Sequence, residues 1–152
     1  MSRRSTVVTG GSRGIGRAVV ERLRAGGDAV TTCGRGARPA DLPDDVQWVT
    51  ADVAEPAAAR SVVAVASESN GPVTVLVNNA GICIERTVLE STDEDWDLVV
   101  GVNCRGVFSM SRAVLPEMER LGGVIVNTAR SRGWSPTLRW RSTTRPRPSS
   151  TG

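Results

Sequence analysis

Apolar residues along this chain switch repeatedly between two spacings. Ser5–Thr9, "STVVT", is a short run that ends in a cluster of glycines, as a buried strand entering a turn does. From Gly14 the apolar positions Ile15, Ala18, Val19 and Leu23 recur at helical spacing, and "AGG" at 25–27 stops that helix. Residues 28–33, "DAVTTC", predict a second strand and residues 46–53, "VQWVTADV", a third. The Ala/Val-rich stretch 57–69 predicts a helix with Glu55 and Pro56 at its start. Residues 72–81, "PVTVLVNNAG", predict a fourth strand, whose unbroken Val/Leu run suits burial on both faces of a parallel sheet. A long helix is expected over 91–121. It opens on "STDED", which offers a hydroxyl cap and first-turn acids. Gly101 and Gly106 should bend it, and Pro116 should break or kink it. Residues 122–129, "GGVIVNTA", predict a fifth strand.

Alternating strand and helix of this kind predicts an α/β fold, a doubly wound parallel sheet, with right-handed crossovers placing helices on both faces. The pattern stops after Ala129. Residues 130–152 are rich in Arg, Ser, Thr and Pro and lack apolar periodicity. We therefore expect one α/β domain at 1–129, ending with the fifth strand, and a disordered basic tail at 130–152.

Charge sharpens that boundary. Residues 1–129 hold 13 Arg and all 16 acidic residues, whereas the tail holds 6 Arg and no acid. Arginines interleaved with Trp134 and Trp140 resemble a nucleic-acid contact, but without a helical stripe the tail is expected to bind none. Its composition is what a shifted reading of GC-rich coding DNA would produce, so a frameshift is the expected origin. No apolar run reaches the roughly 18 residues of a membrane span. The N-terminus lacks the apolar core of a secretory signal, so a cytoplasmic location is expected.

Three cysteines, Cys33, Cys83 and Cys104, show no paired spacing, and there is no histidine; no metal site is expected, and the cysteines should be small buried apolar residues. Tyrosine is absent, and because all 19 basic residues are Arg, so is lysine. These absences remove Ser-His-Asp and Cys-His chemistry and any Tyr or Lys proton donor from this chain.

"TGGSRGIG", residues 9–16, carries the most chemistry. Its glycines fall between a strand and a helix, where the backbone turns sharply and a ligand approaches closely. The N–H groups of the following helix suit a pyrophosphate. The spacing G-x-x-x-G-x-G differs from the better-known G-x-G-x-x-G.

With "ADV" (51–53), "NNAG" (78–81) and "VNCRGVF" (102–108) in order behind it, the chain resembles the short-chain dehydrogenase/reductases over residues 5 to about 129. The resemblance implies that 1–129 is a partial dinucleotide-binding domain of Rossmann type, truncated after the fifth strand, from an NAD(P)-dependent oxidoreductase moving hydride between nicotinamide and a carbonyl or alcohol carbon. It puts Gly10, Gly14 and Gly16 beneath the pyrophosphate, and Ser12, Arg13 and Ile15 of the same turn among the cofactor-binding residues. It puts Asp52 on the adenine with Val53 beside the ring, and Asn79, Ala80 and Gly81 along the cofactor cleft. Asn103 resembles the family's catalytic-site asparagine, which holds a water in a proton relay.

Cofactor preference has its own physical argument. An enzyme selecting NAD ends its second strand on an acid that accepts from the ribose 2′-OH. Here Gly34 stands there, followed by Arg35. A guanidinium pairs with a 2′-phosphate, and Arg13 is expected nearby, so NADP is expected over NAD.

The family's remaining catalytic groups have no counterpart. Arg130 occupies the position of the family's serine after the fifth strand, with Ser131 one place late, and the Tyr-x-x-x-Lys pair cannot exist. The resemblance therefore implies a catalytically impaired chain. A non-catalytic nucleotide-binding module, or an interaction protein acting through the tail, are the alternatives. The family's homo-oligomer is not expected, because its interface helices follow the point where the resemblance ends.

Overall fold

The computed structural model describes residues 3–129, so the tail, with Arg130 and Ser131, lies outside the described residues. Five strands form one parallel sheet: β1 (Ser5–Thr9), β2 (Ala29–Gly34), β3 (Gln47–Thr50), β4 (Val73–Asn78) and β5 (Val124–Asn127). Their order across the sheet is β3-β2-β1-β4-β5. The chain winds outward from β1 in one direction, then returns to β1's other side and winds the opposite way. The reversal lies between β1 and β4, and a crevice opens outside the carboxyl ends of the strands at such a point.

Central position dictates β1's composition. Every residue of "STVVT" is buried. Val8 faces a cluster with Val20, Val30, Val46 and Val77, under α1 (Gly14–Ala25). Val7 faces the opposite cluster with Leu76, Val62, Met110 and Val114, under α2 (Pro56–Asn70) and α4 (Gly106–Leu121). Alternate side chains of one strand thus feed two cores, as a sheet covered on both faces requires.

Asp28, just before β2, is buried among polar partners. Its carboxylate accepts from Arg4 Nε (2.9 Å), Arg4 Nη2 (3.2 Å) and the Thr6 hydroxyl (2.9 Å), which clamps the start of β2 to the start of β1.

The expected long helix is continuous from Asp93 to Leu121 and has three parts: α3 (Asp93–Val100), a π-helical turn (Gly101–Arg105) and α4. It starts two residues late because Thr92 is its cap. The Thr92 hydroxyl accepts from Asp95 N–H, and the Asp95 carboxylate accepts from Thr92 N–H, each at 3.2 Å. Where a bend was expected near Gly101 and Gly106, both glycines keep ordinary helical backbone angles, and the helix carries a π turn. Gly106 is needed at its far end: a β-carbon there would stand 3.0 Å from Val53 Cγ2. Pro116, expected to break or kink the helix, does not end it. It lies on the exposed side of α4, where the missing N–H leaves a carbonyl one turn back free for solvent. By length and hydropathy this helix could cross a membrane, but Met110, Val114 and Met118 lie in the core under the sheet, as in a core helix.

The third, fourth and fifth strands are shorter than the sequence runs that predicted them. β3 stops because residues 52–55 turn, with Asp52 Oδ1 accepting from Ala54 N–H (3.0 Å) and Asp52 O from Glu55 N–H (3.0 Å). β5 is an edge of the sheet among the described residues, with Val124 and Val126 both exposed. Only Cys33 fulfils the expectation of buried cysteines. Cys83 and Cys104 are exposed, because the segment after β4 and the π turn both run along the surface.

Candidate functional site

Two chain segments leave the sheet at the reversal point and form the crevice. The first leaves β1 through Gly10, whose φ of 73° belongs to the left-handed region that glycine favours. The second leaves β4 through Asn79. They are joined by Thr9, whose hydroxyl accepts from both Asn79 N–H (3.0 Å) and Ala80 N–H (2.9 Å). The Asn79 side-chain amide returns a bond to Thr9 O at 3.1 Å.

The glycines of the turn fall into different physical classes. A β-carbon on Gly16 would stand 2.2 Å from Gly10 O and 2.4 Å from Asn79 Nδ2, so Gly16 is required by close packing of α1 against both segments. One on Gly11 would meet Thr32 Oγ1 at 2.1 Å; that hydroxyl accepts from Gly11 N–H and donates to Val8 O. Gly14 has open space around it but a φ of 58°, so only its backbone conformation asks for glycine.

Above this floor lies a cleft of about 360 Å³. Gly10, Ser12, Arg13, Gly14, Ile15 and Gly16 line it from the glycine turn. Gly34 and Arg35 line it from the end of β2, Asp52 and Val53 from the turn after β3, and Asn79, Ala80 and Gly81 from the segment after β4. All twelve residues expected around a dinucleotide thus border one cavity. Cys33, Ala51, Ile82 and Val102 border it as well, though the sequence assigned none of them to the cofactor. Cys33 is fully buried, and burial pushes its thiol up to about 11, so it borders the cleft as an apolar group.

The N-terminus of α1 opens into the cleft without a partner among the described residues. Arg13 occupies the cap position in extended conformation and makes no side-chain cap bond, and no acid stands in the first turn. The helix starting at Asp93 is the contrast, with its capping box and Asp93, Glu94 and Asp95 in its first turn. Among the described residues, the first N–H groups of α1 are therefore left for an external acceptor, and no acid offsets the partial positive charge there. Ile15, 72% exposed, projects beside them as an apolar wall. A cradle whose floor has no room for a β-carbon and whose rim is an uncapped helix fits a pyrophosphate.

Asn103 lies in the π turn. It does not line the cleft but is locked to its border: Oδ1 accepts from Ile82 N–H (2.9 Å) and Nδ2 donates to Ile82 O (2.8 Å). Both functional groups of the side chain hold the segment after β4 in place. Sequence reasoning gave no role to Thr9 and Thr32, whose hydroxyls build the floor; the available signal was a threonine ending the first predicted strand and another one place before the end of the second.

The short chain dehydrogenase family model matches residues 4–141. The chain belongs to this family. The likeness to the short-chain dehydrogenases extends beyond residue 129, where the apolar pattern stops. The chain is 40% identical over 139 residues to the 2-(R)-hydroxypropyl-CoM dehydrogenase of Xanthobacter autotrophicus, covering 83% of this chain and 56% of that protein. Its fold is similar to that of a metagenomic blue fluorescent protein crystallised in complex with NADPH (TM-score 0.74, 35% identity, 82% of this chain and 54% of that one). It is also similar to the 3-ketoacyl-(acyl-carrier-protein) reductase of Brucella melitensis complexed with NADH (TM-score 0.79, 31% identity, 83% and 57%). The chain spans about half the length of the curated relatives it matches.

Proposed function

We propose that the cleft holds a nicotinamide dinucleotide, NADP in preference to NAD, and that the chain is the cofactor-binding part of a carbonyl or alcohol oxidoreductase. The observation that carries this reading is the uncapped N-terminus of α1 above a glycine floor, bordered by Arg13 and Arg35 and by no acid at the end of β2. In it, the first N–H groups of α1 and Ser12 receive the pyrophosphate, Gly10, Gly14 and Gly16 let it approach, and Ile15 covers its flank. Asp52 and Val53 receive the adenine, Arg35 and Arg13 the 2′-phosphate, and Asn79, Ala80 and Gly81 the nicotinamide side. Asn103 acts by fixing the Ile82 backbone.

When bound, the nicotinamide supplies a hydride donor or acceptor. Reduction of a carbonyl also needs a proton, and this chain has no tyrosine, lysine or histidine to deliver it. Arg130 and Ser131, expected at the serine position, lie outside the described residues. The reading is therefore binding without appreciable turnover by this chain alone. Arg35→Glu tests the binding half: we expect NADPH affinity to fall at least about tenfold while NADH affinity changes little, since a charge-assisted hydrogen bond contributes roughly 1.5–3 kcal/mol. Equal losses for both would contradict it. NADPH consumption with simple ketones tests the other half, and steady turnover by purified chain would overturn it.

A further inference from the structure

We propose that Trp48, on the edge strand β3, is a specificity-determining residue that enforces the preference for a phosphorylated dinucleotide; this rests on the reading of the cleft given above. Trp48 does not border the cleft, and its effect passes through Gly34 and the turn that carries Arg35.

The steric part is direct. Gly34 ends β2 at the cleft wall. A β-carbon built on it would stand 2.8 Å from Cη2 of Trp48, 3.3 Å from Cζ2 and 3.8 Å from Cζ3. Carbon atoms pack best at about 3.5–4.0 Å, so any side chain at position 34 must displace the indole. The register explains the approach: Trp48 pairs with Thr32 and Thr50 with Gly34, so the ring, on the face shared by Thr32 and Gly34, slants diagonally over the glycine.

The ring is not free to move aside. It is half-buried and packs against the cluster that contains Val8, Val20 and Val46. Its Nε1–H donates to Thr50 Oγ1 (3.2 Å), and the Thr50 hydroxyl donates to Gly36 O (3.2 Å). This second connection ties β3 to the residue after Arg35. Trp48 thus does two things at once. It fills the space that a carboxylate at position 34, able to accept from a ribose 2′-OH and repel a 2′-phosphate, would need. It also holds the turn from which Arg35 reaches the cleft mouth.

The test compares wild type with Gly34→Asp, Trp48→Val and the double variant, all in the full 152-residue chain. Calorimetry reads NADPH and NADH dissociation constants, and thermal unfolding reads the strain. Gly34→Asp alone should melt lower and bind both dinucleotides poorly, because the aspartate and the indole compete for one space. Adding Trp48→Val should restore the melting temperature toward that of Trp48→Val alone and favour NADH by about tenfold, as an added charged hydrogen bond allows. Trp48→Val alone should lower the NADPH-to-NADH affinity ratio, whereas a purely structural role would weaken both equally. Should Gly34→Asp prove too unstable, Gly34→Ala carries the same clash, and its melting loss should vanish in the Trp48→Val background. Gly34→Asp that keeps the wild-type melting temperature and prefers NADH would overturn the role of Trp48 while leaving the cleft reading intact. Wild-type chain that binds neither dinucleotide would overturn the cleft reading, and this proposal with it.

Discussion

The hydroxyl of Thr9 accepts two successive backbone N–H groups, from Asn79 at 3.0 Å and Ala80 at 2.9 Å, and so joins the ends of β1 and β4 beneath the cleft. Thr9 is buried, and its loss would leave two N–H groups of half-buried residues without their acceptor. Thr9→Val should cost about 2–4 kcal/mol in urea unfolding, at roughly 1–3 kcal/mol per stranded group with partial relaxation. Thr9→Ser, which keeps the acceptor, should stay close to wild type.

Gly14 and Gly16 ask for glycine for different reasons, and alanine should separate them. At Gly14 only the left-handed backbone is at stake, so Gly14→Ala should cost about 1 kcal/mol. At Gly16 the added methyl collides with backbone and with Asn79, so Gly16→Ala should lose several times as much, on the order of 3 kcal/mol or more. Chemical unfolding of the two variants side by side checks the ranking.

Asp28 should be the most sensitive charged position in the described residues. Its carboxylate is buried on three donors from Arg4 and Thr6, while the Arg4 side chain is largely exposed. Asp28→Ala leaves the Thr6 hydroxyl stranded and should cost about 3 kcal/mol. Arg4→Ala leaves the carboxylate reachable by solvent and should cost nearer 1 kcal/mol. Equal effects would show that the pair is not divided as its burial implies.

Cys33 gives a pH dependence with a definite sign. Burial raises its thiol from 9.0 to about 11, so the folded state holds that proton more tightly than the unfolded chain. The corresponding stability is complete below pH 9 and is lost as pH climbs through about 11, at up to roughly 1.4 kcal/mol per pH unit. Thermal unfolding from pH 8 to 11 should show the decline, and Cys33→Ala should flatten it. At neutral pH, iodoacetamide should label the exposed Cys83 and Cys104 and spare Cys33 until the chain unfolds.

Period and punctuation made most of the fold legible. β1 and α1 begin and end where the apolar runs and the "AGG" stop predict. The bounds of β3, β4 and β5 were overestimated because apolar character continues into segments whose hydrogen bonds go to turns and to the other cleft segment, as with Asp52 and Asn79. The twelve residues expected to surround the cleft do border it, since glycines and motif spacing report backbone constraints that survive in a single sequence. Thr9, Thr32 and Trp48 were not legible in the same way. Their parts depend on cross-strand register, which pairs Thr9 with Cys33 and Thr32 with Trp48 and is fixed only when the sheet is assembled.

Calorimetric titration of the wild-type chain with NADPH, and in parallel with NADH, tests the central claim most directly. We expect saturable one-to-one binding of NADPH, about tenfold tighter than NADH by the worth of one charge-assisted contact to the 2′-phosphate. Folded chain that shows no saturable heat with NADPH, or that binds NADH as tightly, would contradict the account.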